Sequence, residues 1–193
     1  MVSTHEDPVP GLTADEVSRL REVLIVQACI KAIHRYSIGV DLADLDMLRE
    51  AFHDDAVLQM GPTWVMTGHD EIAQIANIGV RWADKHHFSM DHLVVVDGPD
   101  HAHGIYHGLV LYVTPDLVHI SGTARYRDRF ERRNGVWRIA HRNVEIRYFS
   151  VHPTAEVTLN PPELSNEWLE RIREKERKRR EALRDSGTGN SPP

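Results

Sequence analysis

Arg132-Arg133-Asn134-Gly135-Val136-Trp137-Arg138 is the stretch that decides the fold. Asn-Gly is the dipeptide of a two-residue hairpin turn, because both central residues take positive φ there, and Asn and Gly tolerate it best. Long runs rich in β-branched and aromatic residues flank it, 117–132 leading in and 136–149 leading out. A run over 102–113 stops at Thr114-Pro115-Asp116, and one over 86–96 stops at the turn Asp97-Gly98-Pro99-Asp100. Four long strands in an antiparallel meander are expected.

The chain upstream is helical. Thr13-Ala14-Asp15-Glu16 has the form of a capping box. Val17, Leu20, Leu24 and Ala28, with Val23, Val26, Ile30 and Ile33 beside them, give a broad apolar stripe at helical spacing. The spacing predicts a helix to about Ser37, with Gly39 at its exit. Asp44 is placed to cap a short second helix through Leu45, Leu48 and Phe52. A turn at 53–56, a strand at 57–60, a return through Trp64 and a third helix over 68–80 follow. Helices first and long strands after predict an α+β architecture, three N-terminal helices packed on one face of a curved antiparallel sheet. Such a sheet closes into a cone whose open mouth suits a small molecule.

Size and composition narrow the classes. The 193 residues suffice for one domain with a sizeable core, assigned to 13–152. Residues 1–12 and 186–193 are expected to be disordered tails, and 153–185 a C-terminal arm and charged helix. No apolar run long enough to cross a bilayer and no signal segment stand out, so no membrane partner is expected. A net charge of -6 argues against nucleic acid. The lone Cys29 permits no internal disulfide and fits a cytoplasmic protein.

Chemistry-bearing residues gather at the start of the 86–96 run, His86-His87-Phe88-Ser89-Met90-Asp91-His92. Alternation puts His87, Ser89 and Asp91 on one face. His87 is the candidate general base, with Asp41 from the end of the first helix as its acidic partner. Asp54-Asp55 is assigned to turn and capping duty. His101-x-His103 offers two imidazoles but no acid to complete a metal site, so no metal is expected.

These pieces resemble the SnoaL-like branch of the nuclear-transport-factor-two-like fold over about residues 12–148. The likeness is greatest to scytalone dehydratase, bile-acid dehydratase and hexachlorocyclohexane dehydrochlorinase. It is carried by Tyr36-Ser37-Ile38-Gly39-Val40-Asp41, by Phe52-His53-Asp54-Asp55-Ala56, by His87, and by the hairpin running on to His141-Arg142-Asn143. The resemblance implies an α+β cone holding a cofactor-independent lyase. Asp41 would match the family aspartate, His87 its histidine, Tyr36 the tyrosine of the bile-acid dehydratases and Arg142 a pocket arginine of the dehydrochlorinase. The tyrosine replaces a dehydrochlorinase lysine, which favours loss of water over loss of chloride. Asp91, where these proteins often carry Asn, is a departure that puts a second carboxylate near the base.

The expected reaction is therefore a dehydratase-type elimination on a hydrophobic cyclic, polyketide-like or steroid-like molecule. Its catalytic set is His87, Asp41, Tyr36 and Arg142. Asp91, Val144, Ile146 and Trp64 are the expected substrate contacts. Alternation would line Ala140, Arg142, Val144, Ile146 and Tyr148 along the pocket wall. A homo-oligomer, dimer or trimer, is expected from the resemblance. The alternatives are a cofactor-free cyclase or ketosteroid-type isomerase using the same proton chemistry, and a binding or assembly protein of the same fold without catalysis. Each candidate also has a plain structural alternative: a strand-edge cap for His87, a helix cap for Asp41, core packing for Tyr36, and an ion pair with Asp91 or Glu145 for Arg142.

Overall fold

The computed structural model describes residues 11–78, 84–115, 118–152 and the isolated position 174. The chain divides into two units, 1–157 and 158–193, and the architecture is that of the first. The charged helix expected over 165–185, apart from position 174, the expected N-terminal tail up to residue 10, and the C-terminal tail lie outside the described residues.

The order is α1 (Ala14–Leu42), α2 (Leu45–Ala51), β1 (Phe52–Met60), β2 (Trp64–Thr67), α3 (His69–Ala73), α4 (Ile75–Ile78), β3 (Asp84–Val96), β4 (His101–Val113), β5 (His119–Arg133) and β6 (Val136–His152). The six strands make one sheet in the order β2-β1-β6-β5-β4-β3. The hairpin forms as its sequence demands, with Asn134 at φ 52° and Gly135 at φ 79°. The fold class is α+β as expected, but the sheet is mixed, because β1 runs parallel to β6. Turn signals specify only neighbouring strands. The partner of β1 is reached through the whole intervening meander, so no local signal reports its direction.

The capping box at Thr13 and Glu16 is present, and α1 continues past Ser37 to Leu42, where Ala43 at φ 54° ends it. Gly39 remains helical. A Cβ there would stand 2.9 Å from Leu48 Cγ, so this glycine lets α2 close on α1 rather than ending the helix. The extra turn carries Asp41. α1 is long and apolar enough to cross a membrane by length and composition, which the expected absence of such a run overlooked. Its C-terminal half instead supplies Cys29, Ala32, Ile33, Tyr36 and Val40 to the core, with Phe52, Leu58, Tyr106, Phe130 and Ile139 among their neighbours there. The expected third helix is two short ones separated at Gln74.

Three bulges set which side chains face inward. On β3 the register shifts between Met90 and Leu93, with Asp91 at φ 55°. On β6 it slips at Ala140 and again at Arg147, each left without a partner opposite. Every such insertion flips the alternation beyond it.

Candidate functional site

The sheet face toward α1 carries an apolar cavity of about 260 Å³. For scale, a dry apolar cavity of about 150 Å³ holds benzene, so this one suits a fused-ring skeleton. Tyr36 and Val40 come from α1, Trp64 from β2, Lys85 and His87 from β3, Val110 and Tyr112 from β4, Tyr126 from β5, and Val144, Ile146 and Phe149 from β6.

Asp41 and His87 meet at its edge, 46 residues apart in the chain. Asp41 Oδ1 stands 2.5 Å from His87 Nδ1, and Oδ2 accepts from the His87 backbone N–H at 2.9 Å. One carboxylate thus fixes both ring and backbone of the histidine. With Nδ1–H donated to Asp41, the lone pair lies on Nε2. Tyr112 Oη sits 2.9 Å from Nε2 and donates to it. Burial foremost, with the unfavourable charge that neighbouring Tyr36 would carry if ionised and the Asp41 carboxylate behind it, raises the Tyr112 pKa, so the phenol keeps its proton. The result is an ordered chain, carboxylate to imidazole to phenol, opening on an apolar space.

Tyr36 lines the cavity and is 3% exposed. Its ring packs edge-on against Phe52 and Tyr126. Burial raises its pKa, and the nearby Arg142 charge works against that rise. Trp64, Val144 and Ile146 are lining residues too.

Two expected site residues lie elsewhere. Arg142 is fully buried and does not line the cavity. Its Nε and Nη2 grip Asp128 at 2.8 Å and 2.5 Å, so its partner is neither Asp91 nor Glu145. Its guanidinium lies 4.3 Å from the centre of the Tyr36 ring, a cation–π contact. Burial is the largest influence on its pKa and pulls it down, but the Asp128 charge and hydrogen bond, with the neighbouring tyrosines Tyr106 and Tyr36, together hold it above the ordinary value. The arginine therefore sits behind the cavity wall, under Tyr36, where no ligand in the cavity touches it. Asp91 is the bulge residue of β3. It is exposed, 3.8 Å from His107, and absent from the cavity lining. The bulge breaks the alternation that would have placed it beside His87. The bulge at Arg147 likewise replaces Tyr148 by Phe149 in the wall.

Sequence reasoning missed Tyr112 and Lys85. Lys85 was within reach of it, because position 85 shares a strand face with 87. Tyr112 needed the β3–β4 register, which pairs it with Lys85.

The paired acids Asp54 and Asp55 lie in β1 rather than in a turn, and Arg133 holds Asp55 at 2.7 Å. His101 and His103 are exposed, with His103 bound to Asp97 at 2.8 Å. Among the described residues no group of three or more His, Cys, Asp or Glu is arranged to hold a metal ion.

A cone of helices on a curved sheet, with a carboxylate–imidazole pair at its pocket, defines the class, and comparison supplies the family. The SnoaL-like domain family matches residues 21–143, and the chain belongs to it. No curated protein matches. Among solved structures, the type-3 hexachlorocyclohexane dehydrochlorinase LinA of Novosphingobium barchaimii LL02 is 25% identical at a TM-score of 0.64, covering 76% of this chain and 99% of its own. Another LinA structure is 24% identical at 0.67, covering 75% and 99%. A scytalone-dehydratase-like protein of Novosphingobium aromaticivorans DSM 12444 is 15% identical at 0.64, covering 77% and 99%. Such identities speak for the shared fold.

Proposed function

We propose that the protein is a cofactor-independent lyase that removes water from a hydrophobic cyclic, polyketide-like or steroid-like molecule, with His87 as base. The observation that carries this reading is the double contact of Asp41 with His87 at the edge of an apolar cavity. An imidazole near neutral pKa suits proton abstraction, and a fixed carboxylate sets its tautomer and stabilises the imidazolium that forms. Substrate entry would displace the Tyr112 hydroxyl from Nε2. The freed phenol and Tyr36 would then donate to substrate oxygens, in the manner of an oxyanion site. Arg142 would act through Tyr36, holding its ring in place.

The hydrophobic wall suits an apolar skeleton, and the dehydrochlorinases and the dehydratase-like protein among the similar structures carry out or are named for eliminations. Tyr36 supports loss of water over loss of chloride. Isomerisation or cyclisation begins with the same proton abstraction and remains the second reading. The expected pairing with a second copy is supported by the outer face of β3, where Phe88, Met90, Leu93 and Val95 are exposed.

The test is turnover of a panel of fused-ring β-hydroxy ketones followed by mass spectrometry. Loss of water by the natural protein, abolished in His87→Ala, supports the reading. Full activity in His87→Ala removes the histidine from the chemistry.

A further inference from the structure

Lys85 precedes His87 by two residues on β3, so both side chains leave the same face of the strand. Across the ladder, Lys85 pairs with Tyr112 and His87 with Val110. The four side chains form one wall of the cavity. Lys85 is only 9% exposed, and among the described residues no group lies within hydrogen-bond reach of its shielded Nζ. A lysine on a surface strand carries its ammonium out to water along its flexible stem. Here the ammonium is kept inside, where an unpaired donor is costly. Burial presses its pKa down, and the nearby Asp41 charge resists that. The neighbouring acceptors are already engaged: both Asp41 oxygens hold His87, and His87 Nε2 accepts from Tyr112. The cavity thus offers a positive donor with no partner among the described residues, next to a base, among apolar walls.

We propose that Lys85 is the cationic contact for a substrate oxygen that gains negative charge, with β-hydroxy ketones on a fused-ring skeleton as the substrate class. The step rests on the elimination reading given above; the contact itself does not. His87 Nε2 takes the proton beside the ketone, and the C–H electron pair moves into the carbonyl to give an enolate, whose oxygen Lys85 Nζ holds. The enolate then collapses to an enone as the C–O bond to the β-hydroxyl breaks. The imidazolium returns its proton to that oxygen, which leaves as water. Lys85 keeps its protons throughout.

The contact is tested by equilibrium binding, with no turnover required. Titration calorimetry compares 2-naphthoate with 2-methylnaphthalene, one skeleton with and without an oxyanion. The natural protein should prefer 2-naphthoate by about 10-fold or more, the size of one charge-assisted hydrogen bond. Lys85→Met should bring the two ligands to near parity, and His87→Gln should keep the preference. Lys85→Met should fold with an unchanged or higher Tm, since it removes a stranded ammonium and keeps the stem. Should that variant fail to fold, Lys85→Gln makes the same comparison. Equal binding by the natural protein, or a preference that survives loss of the lysine, overturns the proposal. A preference that follows Lys85 in a protein that dehydrates no β-hydroxy ketone keeps the contact and removes the elimination.

Discussion

Two of the pairs that a carboxylate makes in this fold differ in what they expose. Asp128 and Arg142 are both 0% exposed as side chains, whereas Asp41 and His87 are 20% and 10% exposed. Both pairs join distant positions through two hydrogen bonds. The buried pair spends its geometry on itself and on the aromatic rings around the guanidinium, Tyr36 nearest. The pair at the edge spends its carboxylate on the far side of the imidazole, leaving Nε2 turned to Tyr112 and the cavity. A carboxylate, burial and short distances are common to both. What separates a candidate catalytic pair from a structural one is a reactive atom with somewhere for a ligand to go.

The largest effects should come from the exposed pair. His87→Gln and Asp41→Asn are each expected to lower kcat by roughly 10²–10⁴-fold in a dehydration assay while leaving Tm within a few degrees. Comparable losses from Asp128→Asn at unchanged stability would erase the distinction. Asp128→Ala is expected instead to act on folding, costing about 3–5 kcal/mol in urea denaturation because it strands a buried guanidinium. The double change Asp128→Leu with Arg142→Met should recover most of that loss, since apolar residues tolerate the same site.

Gly39→Ala probes how Asp41 is delivered. The added Cβ meets Leu48 at 2.9 Å, so α1 and α2 must part, at about 1–3 kcal/mol. A drop in kcat beyond the loss of folded protein would show that this contact aims the carboxylate. Tyr112→Phe keeps the ring and frees Nε2. Its kcat is expected to fall no more than about 10-fold, one hydrogen bond's worth.

The smallest effect concerns His92, inward-facing beyond the β3 bulge. Burial and then the His34 charge lower its pKa, while Asp91 and Asp128 oppose them. Its ring meets His34 and Tyr106. Because the folded pKa lies below the unfolded one, its contribution is complete above about pH 6.5 and is lost as the pH falls through the folded value. His92→Phe should therefore flatten the decline of Tm over that acidic range. An identical decline in both proteins would place the acid sensitivity in other groups.

Much of this was legible in the chain. The Asn134-Gly135 hairpin, the Thr13 capping box and the long runs are local signals, each decided by a few neighbouring residues. Asp41 and His87 were put forward as a pair from their chemistry and strengthened by resemblance, since nothing local joins positions 46 apart. Arg142 and Asp91 lie off the cavity for different reasons. Arg142 did face inward, but toward Asp128, whose burial no periodicity announces. Asp91 sat on a bulge, which flips a strand without changing its composition.

The residues alone determined the elements, the order in which helices give way to strands, the hairpin and the supply of imidazoles and carboxylates, because caps, turns and alternation act over a few positions. Only the folded chain decided that β1 lies parallel to β6, where three bulges turn a face over, which acid meets which cation, and that Lys85 and Tyr112 stand beside His87. Those outcomes depend on strand register and on packing between segments far apart, and the period of a sequence carries no record of its partner.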